Sequence, residues 1–585
     1  MKKKILYALP LLSFLLTGCF LLPKHKKSET SSEQETSSYS SENYSEQSST
    51  YSSENYSSEN SSSSSSTSQH TSSDSSQDKS SYEDESSYEE ESSDYSEEPS
   101  YSEDSSDNSS DDTSLSRYAE IEIYATNDIH GEVEKFGTIA SYLNNRKDGN
   151  TLLIDQGDTW QGSIYSNYNH GALLTDIMNY VQYDARSIGN HDFDWGTSYI
   201  TSNKNREYAG YSTPVLAGNV FDYDQYTKTL GTTQQSDLGT TSVTYTLENN
   251  LKVGILGGIG EDQLTSITSS YTTNIGFGNH IDFIKNEATH LRNDEHCDIV
   301  ICSIHTGQDD VMGNNLSDYV DLVLCGHTHQ REIGNEGSLY CIQSQGYGQN
   351  IGHVKLTYDR ETGAVSTNAE HIYYSTIESQ TTLDSTISGL IETYKEECDS
   401  EANETLASNV SGYFSSYGIA EHVMTTAILE EAQKVDSTVQ LAYINQARRA
   451  LPNYEWNYAD LYESFPFDNN IYIVEITGTE FMNEIVGYNY ICKSSSFTDT
   501  VIYPDNTYKV AVIDYLLFHI NSSRDYDYFP VSGGTYQAVL SKNYREILRD
   551  WLRTHGYNTG TQIKSSDYSA SEDNYQFYKG DYVLA

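Results

Sequence analysis

Positive charge is what this sequence has least of. Its 585 residues hold 34 Lys and Arg against 86 Asp and Glu, a formal net charge of -52. A chain this acidic repels a polyanion, which excludes a nucleic-acid polymer as the partner of a broad binding surface. A small anionic substrate stays open, because bound divalent cations would dominate the field where it sits. Long apolar runs are missing as well. Residues 5–16 form an apolar stretch too short to span a bilayer as a mature helix, and no run of about 18 apolar residues follows, so no spanning helix is expected. Cysteine is sparse, at seven residues, and none shows CxxC or zinc-finger spacing.

What stands at the N-terminus is a basic Lys2, Lys3 and Lys4 followed by that apolar stretch, the pattern of a secretory signal. It ends Leu16-Thr17-Gly18-Cys19, and a small residue before a Cys at this place resembles the bacterial lipobox. The resemblance implies removal of residues 1–18 and lipidation of the Cys19 thiol and its new amino group, so the mature chain is expected to be anchored to a membrane. Export permits disulfides. Several of the remaining cysteines (Cys297, Cys302, Cys325, Cys341, Cys398 and Cys492) sit inside apolar runs, and buried free thiols are the expected state.

Residues 19–117 have almost no aliphatic side chains after Leu22 and consist of loose Ser, Glu, Asp, Tyr and Asn repeats. Such a segment buries too little apolar surface to offset its ordering entropy, so a disordered tether is expected. Roughly a hundred flexible residues have an r.m.s. span of about 50–60 Å, enough to lift a domain off a membrane. An adhesive or glycosylated stalk is the other use for it.

Composition changes at Ala119. Apolar runs predict strands over residues 121–125, 151–154, 183–188, 215–217, 252–256, 298–302, 321–324 and 352–357, and helical spacing marks 172–181 and 281–292. Strand–helix alternation argues for a layered α/β domain over residues 118–375. A helical linker follows over residues 376–401, with Ile387, Leu390, Ile391 and Tyr394 at helix spacing across 382–397. A second unit over 402–585 has predicted helices at 420–434 and 541–555 and strands at 440–443, 471–476 and 508–513, the second of these ended by Thr477 and Gly478.

Five polar clusters each follow one of the first unit's strands: NDIHGE, DQGDTWQGS, GNHDFD, SIHTG and CGHTH. Open α/β sheets place their sites beyond the carboxyl ends of strands, so Asp128, His130, Asp158, Asn190, His305, His327 and His329 are expected to converge. Four His, two Asp and one Asn form a nitrogen and oxygen donor set, suited to Zn, Mn or Fe rather than to a thiolate centre. Two metals about 3.5–4 Å apart lower the pKa of a bridging water and neutralise charge on a transferring phosphoryl group. The leaving oxygen then needs a proton, which His191 is placed to give with Asp194 to orient it.

These motifs, in this order, resemble those of the calcineurin-like metallophosphoesterases, and within them the bacterial secreted 5'-nucleotidases with their nucleotide-binding C-terminal domain. The resemblance covers roughly residues 119–550. It implies a four-layer α/β/β/α sandwich followed by a smaller α+β domain. It implies one divalent metal on Asp128, His130, Asp158 and His329, and a second on Asp158, Asn190, His305 and His327, with Asp158 bridging. His191 would stabilise the transition state or protonate the leaving group, oriented by Asp194, and this dyad favours the nucleotidase branch.

In the second unit, residues 445–452 (NQARRALP) and 464–469 (SFPFDN) resemble the family's substrate-binding segments. Arg449 or Arg448 would bind the charged groups of a nucleotide, Phe467 would stack on its base, and Asn469 would lie nearby. An aromatic face and a guanidinium are what a nucleoside phosphate requires. Three departures stand out. Gln446 and Ala447 replace the family's usual glycines. The second stacking aromatic lacks its usual glycine-paired loop, so that Phe518, with Asp525 or Asp527, is the best match. No counterpart of a further upstream Arg is seen around residues 411–414. The expected function is removal of phosphate from nucleoside 5'-monophosphates or related nucleotides outside the cytoplasm. A 2',3'-cyclic-nucleotide phosphodiesterase or UDP-sugar hydrolase would use the same metals, and a surface adhesion lipoprotein is the reading from another class.

Overall fold

The computed structural model describes residues 115–585, apart from 417, 486–491, 494–496, 498–500, 522, 525–535, 570–575, 580–581 and 584–585. Cys19, the signal segment, nearly all of the tether, and Asp525 and Asp527 therefore lie outside the described residues. Among the described residues the first regular element is the strand Tyr118–Thr126. Its residues alternate between two cores. Ile121, Ile123 and Ala125 face a second sheet, while Tyr124 faces helices. Burial on both faces is why the strands read as nearly continuous apolar runs.

Two six-stranded sheets stack on one another. The first runs, in spatial order, Ala364–Tyr373, Asn350–Asp359, Tyr118–Thr126, Thr151–Asp155, Ala185–Ser187 and Val215–Leu216, the last four parallel. In the second, Lys252–Ile259, Ile299–His305, Leu322–Cys325 and Leu339–Gln343 are parallel, edged by antiparallel Ser242–Thr246 and Glu332–Glu336. Between the sheets lie Ile121, Ile154, Val253, Ile301 and Leu324. Helices Val133–Asn144 and Ala172–Val181 cover the outer face of the first sheet, and His280–Asn293 covers the second through Ile284, Ala288 and Leu291. This is the four-layer α/β/β/α sandwich.

The linker segment forms the helices Tyr374–Gln380 and Ser385–Ala402. Asp384 caps the second by accepting from the Thr386 and Ile387 amides. Ile387 and Ile391 pack into the first unit's core, whereas Ala402 at the far end belongs to the C-terminal core. There a five-stranded mixed sheet centres on Leu441–Tyr443, Thr507–Ile513 and Asn470–Thr477, with helices Ile419–Val435 and Tyr544–Thr554. The last helix starts later than its spacing suggests. Residues 541–543 finish the strand Tyr536–Asn543, and the Asn543 side chain caps the helix by accepting from the Glu546 amide. Thr477 likewise closes a strand and caps the helix Gly478–Glu484.

All six described cysteines are buried and unbridged, with the Cys325 and Cys341 Sγ atoms 3.1 Å apart. No helix among the described residues is long and apolar enough to cross a membrane.

Candidate active site

The five polar clusters meet where both sheets present the carboxyl ends of parallel strands. Asp128 and His130 follow Tyr118–Thr126, Asp158 follows Thr151–Asp155, and Asn190 follows Ala185–Ser187. The second sheet supplies His305, the last residue of its strand, and His327 and His329 just after Leu322–Cys325. Five of the seven hold left-handed backbone: Asp128 (φ 51°), His130 (50°), Asp158 (53°), His327 (78°) and His329 (57°). Such conformations are uncommon for non-glycine residues and collect at functional sites. The loops hold each other there. The Asp128 amide donates to the Gly157 carbonyl, His130 to Asp158 and Gly131 to Thr159, each at 3.0 Å. Gly189 is dictated by close approach, since a Cβ on it would lie 2.2 Å from the Asp158 Oδ1.

The side chains form two groups of donors, Asp128 with His130 and His329, and Asp158 with His305 and His327. In the first, the Asp128 Oδ1 lies 3.9 Å from the His130 Nε2 and 3.5 Å from the His329 Nε2, and the two imidazole nitrogens are 3.0 Å apart. In the second, the His305 Nε2 is 3.2 Å from the Asp158 Oδ2 and 3.1 Å from the Asn190 Oδ1, and the His327 Nδ1 is 3.0 Å from that same Asn190 oxygen. The remaining nitrogens of His130 and His305 meet the carbonyls of Gln161 (3.0 Å) and Gln156 (2.6 Å), which aims each Nε2 inward. Asp128 and Asp158 are fully buried, and among the described residues their ion-pair partners are histidines only. Buried carboxylates facing converging imidazole lone pairs are a donor set that fits divalent cations.

Electrostatics follow from this crowding. Burial drives His130 well below its ordinary value, helped by Arg448, and burial with the neighbouring His305 takes His327 down to about 4. Both are thereby held neutral, as a metal ligand must be. Burial opposes charge on His305 too, but Asp158 outweighs it and raises His305 to about 9. Asp158 falls well below the carboxylate range because His305 and His191 overcome the effect of its burial.

His191 stands beside this set. Its Nδ1 is 2.9 Å from the Asp194 Oδ2, and its amide donates to the Asp158 Oδ1 at 2.8 Å. Burial lowers its pKa, but Asp194 and Asp158 raise it further, and the net shift is upward. The GNHDFD turn has a foundation that was not singled out in the sequence. Asp192 accepts both from the Gly189 amide (2.8 Å) and from the Arg186 Nη2 (2.6 and 2.7 Å). Arg186 is 2% exposed, lies 3.6 Å from Asp155, and stacks on the Trp160 ring at 3.9 Å. The signal available was an Arg inside an otherwise strand-like stretch.

Comparison with known proteins bears on this arrangement. Residues 121–331 match the family described as calcineurin-like phosphoesterase. The trifunctional nucleotide phosphoesterase protein YfkN of Bacillus subtilis (strain 168) is 24% identical over 404 residues, covering 62% of this chain and 27% of that protein. The 5'-nucleotidase of Diplobatis ommata is 26% identical over 289 residues, 42% of this chain and 48% of that one. Over residues 121–331 the chain is similar to a calcineurin-like phosphoesterase domain. It thus spans between about a quarter and a half of the length of these relatives. The fold extends further, because the 5'-nucleotidase precursor from Thermus thermophilus superposes with a TM-score of 0.62 at 15% identity, covering 79% of this chain and all of that one. The family uses two divalent metals, in keeping with the two donor groups here.

Two cavities flank the donor groups. One, of about 240 Å³, runs from His191 and Asn190 of the phosphoesterase domain to Phe467, Asn469 and Tyr515 of the C-terminal half. Phe467 stacks on His191 with ring centroids 5.4 Å apart. The other, of about 220 Å³, lies on the His130 side and is lined by Arg448, Arg449, Tyr347 and Glu132. There an Arg448 Nη2 is 3.5 Å from the His130 Nδ1, while Arg449 pairs with Glu132 and, at 3.2 Å, with Glu463. Tyr347 packs its ring against His130 and His329, with the Arg449 guanidinium 4.9 Å above it. Phe518 is elsewhere. It packs on the C-terminal core, edge-on to Tyr472 at 5.3 Å, and lines neither cavity. Tyr515, three residues earlier in the short helix Asp514–Leu517, lines the first cavity instead. Spacing alone did not separate these two aromatics.

Proposed function

We propose that this chain is a two-metal phosphohydrolase that removes phosphate from nucleoside 5'-monophosphates or related nucleotides, outside the cytoplasm and anchored through lipid on Cys19. The observation that carries the reading is the meeting of two buried Asp/His groups, a His–Asp dyad and an aromatic-walled cavity at one spot. In this reading Asp128, His130, Asp158 and His329 hold one divalent ion, and Asp158, Asn190, His305 and His327 hold the other. Bound ions supply a water nucleophile at neutral pH and neutralise the phosphoryl oxygens.

The chain's own residues do the rest. Arg448, beside His130, binds the phosphoryl group with its guanidinium. Asp194 fixes the His191 tautomer by accepting from Nδ1, which leaves Nε2 to hold a proton for the leaving oxygen. Phe467 and Tyr515 offer faces for a base, and Asn469 offers an amide. The helix Ser385–Ala402, packed on both cores, is the element about which the C-terminal half would turn to admit substrate. The tether would hold the enzyme away from the membrane.

Product release from AMP, 2',3'-cyclic AMP, UDP-glucose and 4-nitrophenyl phosphate, followed by chromatography with Mn or Zn added, tests this. Hydrolysis of AMP is the expected result. No release from any of the four with metal bound would overturn the enzyme reading.

A further inference from the structure

The two cavities beside the donor groups differ in charge. Arg448 and Arg449 line the one on the His130 side. Among the described residues lining the one on the His191 side there is no Lys or Arg, and three are Asp: Asp194, Asp468 and Asp514. The proton donor of the proposed mechanism faces the cavity on the His191 side, so a leaving group must occupy it.

The carboxylates there are held in place by other groups and keep acceptor capacity for donors. Asp194 is bonded to His191. Asp514 accepts from the Asn470 amide (3.1 Å), the Asn470 side chain (3.0 Å) and the Tyr515 amide (2.9 Å). Asp468 accepts from Arg545 through Oδ1 at 2.5 Å, and its side chain is 41% exposed, which leaves Oδ2 open. A second anionic group brought among these three would meet like charge in a confined space, where water screens poorly. Hydroxyl and amino donors would meet acceptors.

The phosphoesterase side adds its own wall. Ser266, Thr268 and Tyr271 reach the same cavity from the stretch that follows Lys252–Ile259. The Tyr271 hydroxyl has no hydrogen-bond partner among the described residues. Burial, together with Asp514, Asp194 and Asp468, raises its pKa to about 12, so it stays protonated and donates. At about 240 Å³ the cavity lies below the range of about 300–1,000 Å³ usual for drug-sized ligands. That suits one compact leaving group better than a dinucleotide or nucleotide sugar.

We propose that this cavity makes the enzyme select a leaving group that is uncharged and rich in hydroxyl or amino donors, with Tyr271 and Asp468 as its specificity-determining residues. The inference rests on the phosphohydrolase reading above and narrows it. Nucleoside monophosphates are taken, because departure of the phosphoryl group leaves a neutral nucleoside. Nucleoside diphosphates and UDP-sugars are disfavoured, because their leaving group keeps a phosphate. Part of the choice is then made by the phosphoesterase domain, through Tyr271, and not by the C-terminal half alone.

Initial rates for AMP, ADP, UDP-glucose and 4-nitrophenyl phosphate, measured on the metal-loaded full chain, test it. We expect kcat/KM for AMP to exceed that for ADP by about tenfold or more. Asp468→Asn should raise the ADP-to-AMP ratio by about tenfold, since it removes one charge beside Arg545. Tyr271→Phe should lower the ratio of AMP to 4-nitrophenyl phosphate by about three- to tenfold, the worth of one hydrogen bond to a sugar or base. Should Asp468→Asn fail to fold, the wild-type ratio and Tyr271→Phe still decide. Equal wild-type rates for AMP and ADP would overturn the proposal, as would a Tyr271→Phe effect equal on AMP and the aryl ester. Absence of hydrolysis of all four substrates would instead overturn the phosphohydrolase reading itself.

Discussion

At the donor end, six of the seven donors lie in loops that bond to one another and His305 ends a strand; five of the seven hold left-handed backbone and five are buried. The walls of the cavity beside His191 come from separate stretches of both halves, and Phe467 and Tyr515 are only partly buried. The first end is over-determined. Its loops are tied together by backbone bonds from Asp128, His130 and Gly131 to residues 157–159. The second is assembled by contact between two packed halves and has room to vary. In the proposed reading, chemistry that must be identical for every substrate would sit on the rigid end, and selection among substrates on the adaptable one.

The sharpest way to break this comparison is at the residue shared by both proposed ions. Asp158→Asn should remove metal, measured by elemental analysis of the purified protein, and lower turnover on the order of a thousandfold or more on every substrate alike. A loss confined to one substrate would mean that the two ends are not separable. His191→Ala should come next. General acid catalysis contributes about a hundred- to ten-thousandfold, so turnover should fall within that range while metal content stays nearly whole. Metal loss on this change would mean that His191 is a ligand and not the proton donor.

The foundation below the site gives a test by stability. Arg186 is buried between Asp155 and Asp192 and stacked on Trp160. Removing the guanidinium strands two buried carboxylates, and burial already raises Asp155 to about 6 despite Arg186. Breaking a buried ion pair from one side costs about 3–5 kcal/mol. Arg186→Met should therefore lower the urea midpoint of the chain markedly, followed by circular dichroism. An unchanged midpoint would mean that the GNHDFD turn is held by its loop bonds alone.

The same comparison explains what was legible in the sequence. The metal-facing end uses residue types fixed by chemistry, placed directly after strands whose apolar runs are conspicuous because both faces are buried. Asp128, His130, Asp158, Asn190, His305, His327 and His329 could thus be named before their geometry was known. The layered α/β character was legible for the same reason, whereas the four-layer order came from the family resemblance. The helix Val133–Asn144 and the strand Ala364–Tyr373 escaped, the latter because its alternation is polar and half exposed at a sheet edge. Arg186 and Asp192 escaped because a salt bridge six residues apart has no periodic signature. The cavity end was least legible, since an aromatic is equally at home in a core and against a base, and only tertiary packing decides which.

Tyr515 and Phe518 put that last point to measurement. They lie three residues apart, both partly buried against the C-terminal core, yet only Tyr515 lines the cavity beside His191. Stacking of a base on an aromatic ring is worth about 1–3 kcal/mol by alanine substitution. Tyr515→Ala should accordingly raise KM for AMP by about tenfold and change turnover less, because in the proposed reading the ring would touch the base and not the reacting phosphorus. Phe518→Ala should leave KM near its original value and lower the unfolding free energy of the C-terminal half by about 1–2 kcal/mol, the share of a half-buried ring. The reverse pattern would show that the halves reorient on binding and bring Phe518 to the base. The cavity end would then be adaptable in its choice of side chain as well as in its fit.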